Sequence, residues 1–278
     1  FATPFRMPEF FLISGLFLDQ VLSRTWKAYA DRRVLHYFYF YAVWAVIHIV
    51  LKIGIMSAAP IEAANDVLWA IVEPYGVLWF IYLLAAFSAV TKLFYDLKAP
   101  KWAVWAFGAA FQMAHVQTGS YLVDQFCAYF VYFYSGYIFA PMIFRLVDWA
   151  AANTRLALLG LAAYAVVNVV LVFSPGFEVL PGEIQLGWGG VPGVRLLLAI
   201  AGALALCVTA GLITNFKAVT WLRWLGEHSI VVYLVFVLPM SFARIGLSKL
   251  GLIQDVTLSS FLVMVIAIGA SVGLYLLV

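Results

Sequence analysis

Apolar residues along this chain come in long unbroken runs rather than at the spaced positions of an amphipathic helix or a half-buried strand. Uncharged stretches occupy 34–51, 74–91, 102–123, 125–144, 156–173, 196–213, 228–243 and 256–278, and an opening stretch occupies about 8–23. A membrane-crossing helix needs about 20 predominantly apolar residues, and each run is close to that length. The pattern therefore predicts an all-α fold, a polytopic membrane helical bundle of about nine spans. Only Asp124 parts the run 102–123 from the next. Gln117, Thr118, Gly119 and Ser120 gather just before it, so two helices with a tight turn are expected there.

The connections orient the spans. Arg24, Lys27, Arg32, Arg33, Lys92, Lys98, Lys101, Arg145, Arg155, Lys217 and Arg223 fall in alternate loops, eleven basic residues on one side. The other side carries five: Arg6, Lys52, Arg195, Arg244 and Lys249. Basic residues are retained in the cytoplasm, which places Phe1 outside and Val278 inside. The one long external connection, 174–193, holds three Pro and six Gly and is either a lid or a plain connector. Its Gly-Trp-Gly-Gly run has neither the preceding strand nor the spacing of a nucleotide-binding loop.

Composition removes the soluble alternatives. Of 278 residues, 66% are hydrophobic and 10% charged, with a mean hydropathy of +1.02, whereas soluble domains carry about 25% charged residues. The net charge of +3 is small and sits in loops, which argues against a nucleic-acid partner and leaves the lipid bilayer as the surrounding medium. Cys127 and Cys207 lie inside apolar runs and read as small hydrophobes. No second domain is visible, so 1–278 reads as a single transmembrane domain. The chain begins at Phe1 with no signal peptide and reads as a piece trimmed at its start, with ten spans expected in the intact protein.

Five places carry polar chemistry, each with a structural alternative. Arg6 and Glu9 stand about one turn apart at the mouth of the opening helix, either as a functional pair or as an interfacial ion pair. Ser14-Gly15 admits the close approach of a substrate or of another backbone. Asp31-Arg32-Arg33 presents two guanidinium forks suited to phosphate oxygens, or simply marks the cytoplasmic side. Trp79 follows Pro74-Tyr75-Gly76-Val77-Leu78 at a helix start, either an aromatic platform for a sugar or part of an interfacial belt. Gly226-Glu227-His228-Ser229 sets a carboxylate beside an imidazole, fit for acid–base work or for a helix end. His48 and His115 read as histidines hydrogen-bonded between helices. No metal-ligand spacing and no Gly-x-Ser-x-Gly elbow are present.

Several of these stretches also resemble one family. Pro8-Glu-Phe-Phe-Leu-Ile-Ser-Gly-Leu-Phe17, preceded by Pro4-Phe-Arg-Met, resembles the second membrane helix of the acyltransferase 3 family of integral-membrane acyltransferases, in its bacterial inner-membrane form. Arg32-Arg33-Val34-Leu35, Leu78-Trp79-Phe80 and Gly226-Glu-His-Ser229 through Tyr233-Leu234 are similar to further motifs of that family. The resemblance implies an O-acyltransferase in the bacterial inner membrane, with a cytoplasmic C-terminus. It would move acetyl or succinyl from cytoplasmic acyl-CoA to an extracytoplasmic glycan or other hydroxyl acceptor. It also implies donor binding by Arg32, Arg33 and Ser229, and acceptor binding by Trp79 and Ser14. Arg6 and Glu227 are the catalytic candidates within the chain, and the family's histidine base is expected on a helix before Phe1. Two departures stand out: Val77 and Val235-Phe236 occupy places where the family often has a histidine. A glycan or lipid-linked sugar exporter, or a non-catalytic membrane scaffold, remains the alternative; an exporter would show charged spans and repeat symmetry.

Overall fold

The computed structural model describes residues 2–56, 60–175, 186–214, 216–250 and 256–277, and among these there is no strand. Every apolar run contains a helix. In chain order these are α1 (Pro8–Leu16), α2 (Asp19–Leu22), α3 (Trp26–Tyr29), α4 (His36–Met56), α5 (Pro60–Val72), α6 (Trp79–Asp96), α7 (Lys101–Ala114), α8 (Tyr121–Ala152), α9 (Thr154–Val172), α10 (Pro192–Ile213), α11 (Thr220–Glu227), α12 (Ser229–Val235), α13 (Val237–Leu250) and α14 (Val256–Leu277). The fold is an all-α polytopic bundle.

Length sorts these helices. Among the described residues, five segments are long and apolar enough to cross a membrane: Trp26–Leu51, Ala64–Asp96, Tyr121–Ala152, Thr154–Val172 and Pro192–Ile213. A sixth results if Ser229–Val235 and Val237–Leu247, bent by 45°, count as one. The other runs are interrupted. The opening run breaks after Leu16, where Asp19 and Gln20 bring polarity, leaving α1 with 9 residues. At 1.5 Å per residue that is roughly 14 Å, less than half the hydrocarbon thickness.

The described residues form two compact units, the first comprising 1–41, 71–74 and 79–215, the second 42–70, 75–78 and 216–278. In the first, α8 is the central post. Its segment Phe130–Tyr137 is buried throughout, and α1, α6, α7 and α10 pack against it. The core is aromatic: Phe11 lies 4.7 Å from Phe80 and 5.1 Å from Phe87, ring centre to ring centre, and Phe87 meets Phe126, Phe130 and Phe133 in turn.

Gly15 and Gly136 explain how α1 comes so near α8. A methyl group on Gly15 would collide with the Phe133 carbonyl, and one on Gly136 with the Leu12 carbonyl. The small-residue step of the opening helix thus serves a backbone-to-backbone contact. In the second unit, Ile49 and Ala70 pack with Val67 and Tyr75, and the Tyr233 hydroxyl donates to the Val77 carbonyl. There α14 packs on α12 and α13.

Candidate functional site

The 102–123 run stops being helical at Ala114, earlier than hydropathy suggests. His115 caps α7 in the left-handed conformation, with φ 45°. Few side chains adopt that backbone, and histidine is among the more tolerant. The turn that follows is closed by Asp124, whose Oδ1 accepts from the Thr118 amide at 2.7 Å and its hydroxyl at 2.9 Å. Glu73 Oε1 accepts from the Ser120 hydroxyl at 2.9 Å and the Tyr121 amide at 3.2 Å. One otherwise unmatched N–H at the start of α8 is thereby satisfied.

This turn walls a cavity of about 510 Å³ within the first unit, at the end where α1, α8 and α10 begin and α7 stops. Gln112, His115, Asp124, Tyr129, Tyr132 and Arg195 supply its chemistry, and Thr3, Pro4 and Pro8 close one side. The His115 ring is held at both nitrogens. Nδ1 lies 3.1 Å from the Met113 carbonyl, and Nε2 lies 3.4 Å from Arg195 Nη1. A carbonyl only accepts and a guanidinium only donates, so the proton sits on Nδ1 and Nε2 carries the lone pair. Gln112, on the last turn of α7, is 6% exposed, and its Oε1 has no hydrogen-bond partner among the described residues.

Aromatic rings stand behind the cavity. Trp79, the first residue of α6, lies 5.6 Å from Tyr129 and 6.2 Å from Tyr121, ring centre to ring centre. The far end of α6 is basic. There Lys92 Nζ donates to the Leu22 carbonyl at 2.8 Å and pairs with Asp96 at 2.7 Å. The buried Tyr29 hydroxyl donates to the Ser88 carbonyl at 2.9 Å. These contacts fasten α2 and α3 to α6, directly before a six-residue π-helical turn, Ala30–Leu35, that contains Arg32 and Arg33. π-Helical turns are rare and gather at functional sites. Arg32 is exposed there, while Arg33 is half-buried and donates to the Tyr37 hydroxyl at 3.2 Å.

A model of the acyltransferase 3 family, described as an acyltransferase domain, matches residues 1–276. The chain belongs to that family. It is a multi-pass membrane acyltransferase. No curated protein and no solved structure matches it.

The acyltransferase gathers some of the residues singled out from its sequence and leaves others apart. Trp79 adjoins the cavity through Tyr129, and Arg32 and Arg33 share the π-helical turn in the same unit. Arg6 is exposed near the start of α1 and does not line the cavity, although its neighbours Pro4 and Pro8 do. Ser14 bonds its hydroxyl back to the Phe10 carbonyl of its own helix at 2.7 Å. Glu227 and Ser229 belong to the second unit and are exposed. Glu227 Oε1 meets Arg223 at 3.4 Å, one turn away.

Residues 176–185 of the connection 174–193 lie outside the described residues. Its Gly187–Gly190 part is a 3₁₀ turn, where Gly187, at φ 53°, leaves no room for a side chain beside Ser174. The sequence did not single out Gln112, and Arg195 and Lys92 stood out in it only as charges that orient the spans. The helix-to-helix hydrogen bond expected of His115 is present, but its partner is a cation 80 residues away. The one local hint was polarity, with Gln112, His115, Gln117 and Asp124 crowded into an otherwise apolar region.

Proposed function

We propose that this acyltransferase moves an acetyl or succinyl group from cytoplasmic acyl-CoA to a hydroxyl of an extracytoplasmic glycan, working in a bacterial inner membrane with its C-terminus in the cytoplasm. The observation that carries the reading is the division of labour along α6: a polar cavity near Trp79 and a dibasic π-helical turn anchored beside Lys92. Lys92 follows Trp79 by thirteen positions of helix, roughly 20 Å along the axis.

A CoA thioester suits such a layout, because its phosphates and its reactive carbonyl lie at opposite ends of a long pantetheine arm. Arg32 and Arg33 would take the phosphates through charge-assisted, fork-shaped hydrogen bonds. The acceptor would enter from the end of Arg6 and Trp79. In the transfer, the acceptor hydroxyl oxygen attacks the thioester carbonyl carbon and the C–S bond breaks. CoA leaves as the thiolate, and the hydroxyl proton ends on it or on solvent.

The test is binding of acetyl-CoA and succinyl-CoA to the full chain in lipid nanodiscs. The pair Arg32→Gln and Arg33→Gln should weaken binding at least tenfold, since a charged hydrogen bond is worth about 1.5–3 kcal/mol. Unchanged binding would remove the donor site from these residues. Transfer of a radiolabelled acyl group to membrane glycan then tests the reaction itself.

A further inference from the structure

Glu9 places a carboxyl group in a packed seam with nothing to neutralise it. Its Oε2 is buried and takes no hydrogen bond among the described residues. Arg6, the cation three positions earlier, is exposed, and no donor from it meets that oxygen. We propose that Glu9 is a proton-operated latch on α1. As the neutral acid it lets the start of α1 dock on α9 and α10; on ionising it releases that docking, and with it one wall of the cavity. The inference concerns how α1 is held and applies whichever group is transferred.

The geometry ties this carboxyl to the cavity wall. The Glu9 amide donates to the Phe5 carbonyl at 3.0 Å, so the two side chains lie one turn apart on one face. Phe5, 8% exposed, sets its ring 6.1 Å from the Tyr164 ring of α9, centre to centre, and fills the space beside Gly202 of α10. Tyr164 in turn donates its hydroxyl to the Leu198 carbonyl of α10 at 3.2 Å. Pro4 and Pro8, each one position before this docked pair, line the cavity. The other tight contact of α1, Gly15 against the Phe133 carbonyl, lies at its far end. Whatever lifts Glu9 from the seam therefore moves Pro4 and Pro8 while the far end stays held.

The surroundings favour the neutral acid. The titratable groups that face Glu9 are Tyr164 on α9 and Cys207 on α10, neither of which can carry a positive charge. The other neighbours of α1 are apolar: Phe80 and Phe87 of α6 around Phe11, and Ala140 and Ile143 of α8 with Leu12 and Leu16. Burying a carboxylate without a counter-charge costs far more than burying the acid. The docked form thus holds a proton that the undocked form gives up, and docking weakens as pH rises.

The experiment is hydrogen exchange of the full chain in lipid nanodiscs at about pH 5.5 and about pH 8.5. Each peptide is expressed as protection relative to an unstructured chain at the same pH, which removes the intrinsic pH dependence of exchange. Protection over residues 5–12 should fall at least tenfold from the lower to the higher pH, while that of Phe130–Tyr137 in α8 holds. Glu9→Gln, uncharged at both, should keep at the higher pH the protection that the parent has at the lower. Glu9→Met, also uncharged, should do the same.

The inference falls if the parent's protection over residues 5–12 does not change with pH, or if it changes equally in α8. It falls if the two uncharged variants keep the parent's pH dependence. It falls too if neither variant folds at the lower pH, because a seam that closes on a neutral acid must accept a neutral side chain.

Discussion

Lys92 of α6 and Gln112 of α7 are buried polar residues that the described structure treats in opposite ways. Lys92, 3% exposed, has its ammonium held by the Leu22 carbonyl and Asp96, with the rings of Trp26, Tyr29 and Tyr95 centred 5.3–6.0 Å away. Gln112, on the last turn of α7 and 6% exposed, has a carbonyl oxygen that nothing in the described structure takes up. Both are unusual residues to bury, yet only one is satisfied. A buried polar group whose partners are all supplied by the fold is holding the fold together. One whose partner is absent, as for Gln112 Oε1 among the described residues, holds nothing together and costs stability instead.

The comparison can be broken first at α8, the post on which both helices pack. Gly136→Leu drives a side chain into the Leu12 carbonyl of α1 and should separate α1 from α8. Little folded protein should be recovered by size-exclusion chromatography in detergent. A monodisperse variant with parental melting would show that α1 is not fixed by that contact.

Next comes Lys92→Met. It leaves the Leu22 carbonyl without its donor and should cost about 2 kcal/mol. Hydrogen exchange should rise in residues 19–35 before it rises elsewhere, and acyl-CoA binding should weaken with it because the π-helical turn loses its anchor. Exchange unchanged in that segment would mean that Lys92 does not hold it. The smallest effect is expected at the satisfied lysine's counterpart: Gln112→Leu removes an orphaned acceptor and should change unfolding free energy by less than about 1 kcal/mol. A loss as large as that at Lys92 would place Gln112 among the structural residues and erase the contrast.

Much of the architecture was legible because hydropathy is a local property. Each apolar run holds a helix, and the polar cluster from Gln117 to Asp124 does mark the turn between two of them. Boundaries were less legible. The helix before that turn ends at Ala114, where the left-handed backbone of His115 takes over, and no apolar count registers a backbone angle. The dibasic pair Arg32-Arg33 was visible as charge, but its π-helical setting was not. That turn adjoins contacts made by Tyr29 to Ser88 and by Lys92 to Leu22, and the latter pair is 70 residues apart. The small Ser14-Gly15 step was readable as a place of close approach. Which backbone approaches depended on Gly136, in a different helix.

The membrane class, the helical content, the family motifs and the residues around which donor binding is proposed are all written in the order of residues along the chain. These follow from composition, run length and short contiguous patterns. Packing alone brings His115 to Arg195, buries Gln112 Oε1 without a donor among the described residues, and stands Trp79 behind Tyr129 at a polar cavity. The reason is physical. A hydrogen bond needs two groups within about 3.5 Å, and whether residues 80 apart come that close depends on how helices pack rather than on which residues neighbour them along the chain.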